Sequence, residues 1–474
     1  MLSEHLEIQI IDNLDFEPTI GQRSAILHFA EFILSQEPDI VFLLKGYAGT
    51  GKTSMLKAVV KVLEQLKFRI FLLAPTGRAA KVLSAYTGKP AYTIHKKIYR
   101  QQSSPDGMGR FVLDRNLLKN SFFIVDEASM VANESTEGSV FGSGRLLDDL
   151  YSYVYSCFGC RLILVGDTAQ LPPVGLAVSP ALRREELEMY GLMVIESELT
   201  EVVRQQQNSG ILLNATMLRQ MISSASTLSY FSFQMKGFDD LVRLNGGDLI
   251  EKLSECYDLY GEQETIVVCR SNKRANKFNQ GIRSSILYKD SEITTGDLLM
   301  IVKNNYFWNI DDERADFIAN GDIVRISSIR RYEEMYGFRF ADVSLQFIDY
   351  DDIEVDCKIF LDTLSIETAS MNREDAIRLF HAIEEDYQDI RNKKKRWEKI
   401  RENPYFNALQ VKFAYAVTCH KAQGGQWDAV FIDQGYVTEE MIDREYQRWL
   451  YTAFTRPVKE LYLVNFNKEF FGEK

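Results

Sequence analysis

The segment that most constrains this chain of 474 residues is Gly-Tyr-Ala-Gly-Thr-Gly-Lys-Thr at positions 46–53. It has the spacing G-x-x-x-x-G-K-[ST], follows a continuous apolar run at positions 40–44, and precedes apolar residues at helical spacing from Leu56 to Leu63. An apolar run without alternation is typical of a strand buried on both faces of a parallel sheet. The order of strand, glycine-rich loop and helix therefore predicts an α/β fold with a phosphate-binding loop at a helix N-terminus.

A loop of this kind predicts that the chain binds ATP together with Mg²⁺. The backbone N–H groups close around the phosphates, Lys52 is expected to reach the β and γ phosphates, and the Thr53 hydroxyl is expected to ligate the metal. The expected nucleotide-binding residues of the loop are Gly46, Gly49, Thr50, Gly51, Lys52 and Thr53.

Two further predicted strands end in side chains suited to hydrolysis of the nucleotide. Residues 122–125 lead into Asp126, which is expected to hold Mg²⁺ through water, and Glu127, which is expected to orient or deprotonate the attacking water. Residues 162–165 lead into Gln170, at the carboxyl end of a strand, where open α/β sheets bind ligands. An amide there can hydrogen-bond a terminal phosphate while its loop faces a second ligand, so the two ligands are predicted to be coupled.

The composition fits a soluble cytoplasmic enzyme of two to four domains. No apolar run reaches about 18 residues, and positions 1–15 lack a signal-peptide core, so neither a membrane span nor a leader is expected. The six cysteines are scattered, which suits a reducing compartment. Cys157 and Cys160 lack the second close pair that a zinc site would need.

The net charge of −12 is unevenly distributed along the chain. Residues 311–390 hold 21 Asp and Glu against 8 Lys and Arg, so the rest of the chain is close to neutral. The sequence assigns no role to this acidic segment. Basic clusters beside the predicted motifs can bind a phosphate backbone whatever the sign of the whole chain. They are Arg78 with Lys81, Lys96 with Lys97, and Arg270 with Lys273, Arg274 and Lys277.

The chain is predicted to contain two α/β halves with an insert in each. The first half spans residues 1–198, and its insert at 84–120 contains a Ser-Ser-Pro-Asp-Gly-Met-Gly turn that predicts a protruding β-hairpin. Residues 295–404 show short alternating strands that predict a small β-barrel, followed by a charged helix at 372–402. The second half comprises residues 199–294 and 405–474, with strands expected at 265–269, 410–417, 429–432 and 461–464.

Seven motifs in chain order resemble those of the RecD and Dda family of superfamily 1 DNA helicases, over nearly the whole chain. They are the phosphate loop, LAPTGRAAKVL at 73–83, DEAS at 126–129, GDTAQLPPV at 166–174, LTEVVRQ at 199–205, TCHKAQG at 418–424 and YTAFTR at 451–456. The resemblance implies two RecA-like parallel-sheet domains that clamp ATP, a hairpin pin in the first and a Src-homology-type barrel inserted in the second. It also implies a monomeric motor on single-stranded DNA and on junctions of single- and double-stranded DNA.

The family pattern further implies roles for single residues. Gln22 would read adenine, Gln170 would sense the γ phosphate, and Arg204 and Arg456 would be arginine fingers that stabilise the transition state. The positions expected near the DNA strand are Pro75, Thr76, His95, Thr418, His420 and Lys421. Movement is expected to run 5′ to 3′, because relatives of opposite polarity have Ser-Ile-Tyr where this chain has Leu-Pro-Pro at 171–173.

The chain departs from the family pattern at Gln426, where members often have Glu, and at Pro457, where the last motif usually continues with Ala. Two other functions remain open. A related RNA helicase branch shares Leu-Pro-Pro, although it has Asp-x-Phe-Gln-Gly where this chain has His-Lys-Ala-Gln-Gly at 420–424. A nucleotide-gated DNA-binding subunit with nuclease activity is the other, although the sequence shows no acid-plus-lysine nuclease motif outside the motor motifs.

Overall fold

The structure of the protein, a computed structural model, describes residues 2–102, 110–134, 142–202, 209–224, 230–308, 318–349 and 353–473. Up to residue 199 its elements are α1 (Leu2–Asp12), α2 (Ile20–Leu34), β1 (Ile40–Gly46), α3 (Lys52–Gln65), β2 (Arg69–Ala74), α4 (Gly77–Thr87), β3 (Ala91–Thr93), α5 (Ile94–Ile98), β4 (Tyr99–Gln102), β5 (Arg110–Leu113), β6 (Ser121–Val125), α6 (Leu146–Tyr155), β7 (Arg161–Gly166), α7 (Arg184–Glu188) and β8 (Met193–Leu199). A six-stranded parallel sheet has the order β3-β2-β6-β7-β1-β8. Because β6, β7 and β1 are parallel neighbours, the residues that follow them meet at one edge of the sheet.

The apolar run in β1 forms a central strand because both of its faces are covered. Val41 and Leu43 pack with residues of α6 on one face of the sheet. Phe42 and Leu44 pack with residues of α2 and α3 on the other face. The helices therefore lie on both sides of the sheet, as a parallel sheet requires. None of the described helices is long and apolar enough to cross a membrane.

The later part of the chain contains a second parallel sheet and a barrel. Its elements are α8 (Gly210–Ser223), β9 (Leu241–Leu244), α9 (Leu249–Tyr260), β10 (Thr265–Cys269), α10 (Asn272–Ser285), β11 (Leu298–Ile301), β12 (Ile323–Met335), β13 (Phe338–Phe347), β14 (Ile353–Phe360), α11 (Arg373–Glu385), α12 (Lys393–Arg401), β15 (Leu409–Phe413), β16 (Ala416–Thr418), α13 (Cys419–Ala422), β17 (Trp427–Asp433), α14 (Arg444–Phe454) and β18 (Pro457–Val464). The sheet has the order β16-β10-β17-β18-β9, and β11 to β15 close into the barrel. The predicted α/β fold with two parallel sheets and an inserted barrel is therefore confirmed.

Two sequence predictions differ from the structure. The strand expected at 410–417 is divided, because β15 closes the barrel against β11 whereas β16 pairs with β10 in the second sheet. The charged helix expected at 372–402 is two helices, α11 and α12. The second begins at a cap in which Asn392 accepts the backbone N–H groups of Lys394 and Lys395.

Candidate nucleotide site and nucleic-acid interface

The loop between β1 and α3 has the backbone conformation of a phosphate cradle. Gly49 (φ 72°) and Gly51 (φ 82°) adopt the left-handed conformation that favours glycine. A Cβ on Gly46 would lie 2.9 Å from Cγ of Lys52, so this position also requires glycine. The Lys52 ammonium donates to the Tyr47 carbonyl at 2.8 Å, which holds it inside the loop at the N-terminus of α3. The loop therefore fits the phosphates of ATP.

Asp126 and Glu127 directly follow β6, at the same edge of the sheet. Asp126 accepts the Glu127 backbone N–H at Oδ1, at 2.9 Å, and the Tyr86 hydroxyl at Oδ2. Burial and the negative charge of Glu127 raise the pKa of Asp126 to about 6. Thr53 is near enough to Tyr86 to affect the pKa of its hydroxyl, and burial together with Asp126 raises that pKa. This set of oxygen donors fits Mg²⁺, which when bound would neutralise charge on the phosphates.

Gln170 lies in the β7 loop, by which we mean residues 167–174. Its side chain is 6% exposed, and no described residue hydrogen-bonds its Oε1. A buried polar group without a partner costs about 1–3 kcal/mol, so the fold alone does not satisfy this amide. Because Oε1 only accepts hydrogen bonds, its partner would be a donor such as a water, and a phosphate would be bound through the N–H groups of the amide. The phosphate-sensing role of Gln170 stays a prediction.

Gln22, on α2, hydrogen-bonds the phosphate loop. It is 1% exposed, and its side-chain amide donates to the Thr50 carbonyl at 2.9 Å. Its Oε1 accepts the Thr19 backbone N–H at 3.0 Å, while its own backbone N–H donates to the Thr19 hydroxyl, which completes a capping box for α2. Both ends of the amide are therefore engaged with the protein, and adenine recognition by Gln22 stays a prediction.

The phosphate loop and the β7 loop are both bonded to α14 of the second half. The Tyr451 hydroxyl donates to Asp167 at 2.6 Å and accepts the Ala48 backbone N–H at 2.9 Å. The Thr452 hydroxyl accepts the Leu171 backbone N–H at 2.8 Å. Tyr451 is 1% exposed and thus joins three of the sequence motifs at one buried hydroxyl. Neither Tyr451 nor Thr452 was predicted from the sequence, because Arg456 was the residue of YTAFTR that was expected to act on the nucleotide.

Arg219 on α8 is another residue of the second half that reaches the phosphate loop. Its guanidinium lies 4.5 Å from the centre of the Tyr47 ring and donates to the Thr200 carbonyl at 2.9 Å. The Tyr47 hydroxyl in turn donates to Glu198 at 2.8 Å. Arg219 could not be predicted from the sequence, because a single arginine in a helix belongs to no motif.

Arg456 is buried within the second half. It is 3% exposed, and its guanidinium donates to the Gly425 carbonyl at 3.1 Å and the Thr455 hydroxyl at 2.7 Å. The structure therefore places this guanidinium against its own half of the molecule rather than against Lys52. Arg204 lies outside the described residues. The roles of both arginines as fingers stay predictions.

The residues expected near DNA lie on both sides of the junction between the halves. Thr76 caps α4 by accepting the Ala79 backbone N–H at 3.2 Å, directly after Pro75. A Cβ on Gly424 would lie 2.7 Å from the Ala79 Cβ and 3.4 Å from the Thr76 hydroxyl. The segment 418–424, which runs from the end of β16 through α13 and contains Thr418, His420 and Lys421, thus contacts the start of α4. His95 follows β3, the neighbour of β2, and burial lowers its pKa to about 4.

A small open cleft lies beside Thr418 and Lys421. Burial lowers the pKa of Lys421 to about 8, and burial together with the charge of Lys421 does the same to Lys412. The Lys421 ammonium donates to Asn320. Cationic and amide side chains of this kind suit phosphate oxygens. The lining residues that sequence reasoning missed are Lys412, Asn272, Asn276 and Asn279.

Four of the basic residues expected to bind a phosphate backbone form ion pairs within the protein, one of them Lys273 with Glu367 at 3.0 Å. Asp349 has a side chain 1% exposed and pairs with Arg78 at 3.5 Å and Lys81 at 3.2 Å. Arg274 donates to both carboxylate oxygens of the buried Asp433, at 2.6 and 2.8 Å. That these residues bind a phosphate backbone stays a prediction. Asp349 belongs to the acidic segment, so one role of that segment is to neutralise the first turns of α4.

The predicted hairpin is present as the antiparallel pair β4 and β5. Its turn at 103–109 lies outside the described residues. Phe111, in the second strand of this pair, is 4% exposed and so offers no apolar surface to a separating base pair. Its ring centre lies 4.3 Å from that of Tyr306, which follows β11. The hairpin base is therefore packed against the insert of the second half.

Two family models match the chain, one described as AAA domain over residues 19–226 and one as UvrD-like helicase C-terminal domain over residues 413–464. The ATP-dependent DNA helicase dda of Enterobacteria phage T4 is 24% identical over 94% of this chain and 99% of its own length. The ATP-dependent RecD2 DNA helicase of Deinococcus radiodurans is 36% identical over 28% of this chain, which is 16% of that protein. A Bacteroides Pif1 helicase crystallised with ADP-AlF3 and single-stranded DNA is 16% identical, with a TM-score of 0.44 over 91% of this chain and 90% of that one.

Proposed function

Because the chain belongs to the RecD/Dda-like helicases of superfamily 1, we propose that it is an ATP-driven helicase that moves 5′ to 3′ along single-stranded DNA as a monomer. The observation that carries the proposal is the Tyr451 hydroxyl, which joins the phosphate loop, the β7 loop and α14. Since the nucleotide site lies where the two halves meet, any change in the bound phosphates alters the contact between them.

Different residues of the chain have different roles in the hydrolysis of ATP. Lys52 and the loop N–H groups hold the phosphates, and Thr53 and Asp126 hold Mg²⁺. Glu127 orients the attacking water and accepts its proton, while Gln170 contacts the γ phosphate. Arg204 and Arg456 stabilise the charge that develops in the transition state once the halves close.

The DNA strand follows the junction between the halves. The start of α4 and the segment 418–424 lie on either side of this junction. The six proposed contacts follow strand ends and reach the backbone, so binding is tolerant of sequence and sensitive to salt. They are Pro75, Thr76, His95, Thr418, His420 and Lys421. Opening and closing at each ATP cycle then moves one half along the strand relative to the other.

The proposal is tested by ATPase assays with and without single-stranded DNA and by strand displacement on 5′-tailed, 3′-tailed and RNA duplexes. We expect Mg²⁺-dependent hydrolysis that DNA stimulates strongly, and displacement of 5′-tailed DNA duplexes. Displacement confined to RNA would support the RNA helicase, and Mg²⁺-dependent cleavage of DNA would support the nuclease subunit. Displacement confined to 3′-tailed duplexes would overturn the polarity.

Two variants test the assignment of residues within the site. Lys52→Ala is expected to lose hydrolysis, whereas Lys89→Ala, which removes only a surface ion pair with Glu64, is the matched control. Glu127→Gln is expected to bind ATP and DNA and yet hardly turn over. DNA-stimulated turnover at the wild-type rate in Glu127→Gln would contradict the role of Glu127.

A further inference from the structure

We propose that Tyr86 is a positioning residue for the Asp126 carboxylate at the Mg²⁺ site, and that α4 makes this position depend on the junction between the halves. The proposal deepens the proposed function, on which it rests. Tyr86 stands near the end of α4, outside every motif that identifies the nucleotide site. Its hydroxyl nevertheless donates to Asp126, one of the two residues assigned to the metal.

Two hydrogen bonds fix the orientation of the Asp126 carboxylate. The Tyr86 hydroxyl donates to one oxygen of Asp126 and the Glu127 backbone N–H donates to the other at 2.9 Å. A carboxylate with a donor on each oxygen cannot rotate, so its remaining lone pairs keep one direction. The two donors therefore decide how the carboxylate faces the metal site.

Removing the hydrogen bond from Tyr86 to Asp126 is expected to weaken metal binding. Hydrogen bonds to metal-holding carboxylates fix the geometry that the ion needs, and their loss typically costs about 10- to 100-fold in metal affinity or activity. Tyr86→Phe removes only the hydroxyl and keeps the ring, which packs with the cluster around β1. The substitution therefore isolates the hydrogen bond to Asp126.

Helix α4 connects Tyr86 to the second half and to the barrel. Near the start of this helix, Arg78 donates to the Gln426 carbonyl at 3.2 Å and Lys81 donates to the Ile348 carbonyl at 2.9 Å. Ala79 lies against Gly424. The same helix thus contacts the second half and the barrel at one end and Asp126 at the other. A shift of the halves that moves α4 also moves the Tyr86 hydroxyl.

The experiment titrates MgCl₂ into the full chain with a fluorescent ADP analogue and follows nucleotide binding, which requires neither hydrolysis nor DNA. Tyr86→Phe is expected to raise the Mg²⁺ midpoint about tenfold or more. Tyr155→Phe is the matched control, because its buried hydroxyl donates to the Ile40 carbonyl at 2.8 Å, away from the metal site. A Tyr86→Phe midpoint that equals those of wild type and Tyr155→Phe, or that falls, overturns the positioning role.

The link through α4 is tested by repeating the titration with single-stranded oligo(dT). We expect DNA to lower the Mg²⁺ midpoint of the wild type and to leave that of Tyr86→Phe unchanged. An equal effect of DNA on both proteins, or no effect on the wild type, overturns the link. If the wild type lacked DNA-stimulated hydrolysis, the proposed function would fail, and the titration without DNA would still decide the role of Tyr86.

Discussion

At the residue scale, burial gives Lys421 and Lys412 a property that exposed lysines lack. The pKa of each is lowered to about 8, and an ammonium is charged only below its pKa. Both side chains therefore lose most of their charge between about pH 7 and pH 9. Since only the charged form attracts a phosphate, the affinity for single-stranded DNA should fall as the pH rises through 8. We expect the dissociation constant to rise roughly tenfold over this range, the value of one charge-assisted hydrogen bond.

The measurement is fluorescence anisotropy of a labelled oligo(dT) at constant ionic strength from pH 7 to pH 9. Lys421→Arg is the comparison, because a guanidinium stays charged throughout this range. The pH dependence should be weaker in that variant, with Lys412 responsible for the remainder. Equal pH dependence in wild type and Lys421→Arg would show that Lys421 does not contact DNA.

Arg456 gives a second prediction at the residue scale. Its guanidinium holds the Gly425 carbonyl and the Thr455 hydroxyl, and it is also the expected finger. Arg456→Lys keeps a charge but cannot form the planar fork, so kcat should fall by roughly 10³- to 10⁵-fold, with little change in nucleotide affinity. Steady-state kinetics and nucleotide binding measure the two quantities. A near-normal kcat, with a lowered Tm, would show that Arg456 only stabilises its own half.

At the element scale, the hairpin of β4 and β5 is fixed to the rest of the molecule at its base. Phe111 is buried against Tyr306, so Phe111→Ala should lower the free energy of unfolding by roughly 3–5 kcal/mol if the site does not collapse. A loosened hairpin cannot stand firmly at a DNA fork, so strand displacement should fall. ATPase stimulated by single-stranded DNA should remain, because no nucleotide contact changes. Loss of both activities together would contradict a role confined to strand separation.

The strands that could be predicted from the sequence are those whose own residues determine that they are buried. β1, β6, β7 and β10 are unbroken apolar runs, and a run of that kind is stable only in the middle of a sheet. β8 was missed because it is an edge strand that contains Glu196 and Glu198. The barrel was predicted in part, because its closure by β11 and β15 joins residues far apart in the chain.

The candidate site divides in the same way. The phosphate loop and the acids after β6 were predictable, because the chemistry of phosphate binding requires local spacing. Tyr86, Arg219 and Tyr451 were missed, because each acts through a contact with a residue distant in sequence. Their side chains are common in folded cores and carry no periodic or spacing signal.

At the scale of the whole molecule, two of the contacts between the halves lie at the nucleotide loops and at the start of α4. Tyr451 and Thr452 bind the loops around the nucleotide. Gly424 lies against α4, where the DNA strand is proposed to run. Because both contacts belong to one second half, neither can open without changing the other. Coupling between ATP and DNA then follows from rigid halves that share two contacts.

Gly424→Ala tests this coupling, because it adds one methyl group at the contact with α4. The new Cβ would lie 2.7 Å from that of Ala79, which forces the halves apart, and the φ of 74° adds roughly 1–2 kcal/mol of strain. Gly337→Ala is the matched control, since its φ is 71° and its Cβ would have no described neighbour within 4 Å. We expect only Gly424→Ala to lose stimulation of the ATPase by DNA, with nucleotide binding retained in both. Equal loss in the two variants would assign the effect to backbone strain, and full stimulation in Gly424→Ala would show that this contact does not transmit DNA binding to the nucleotide site.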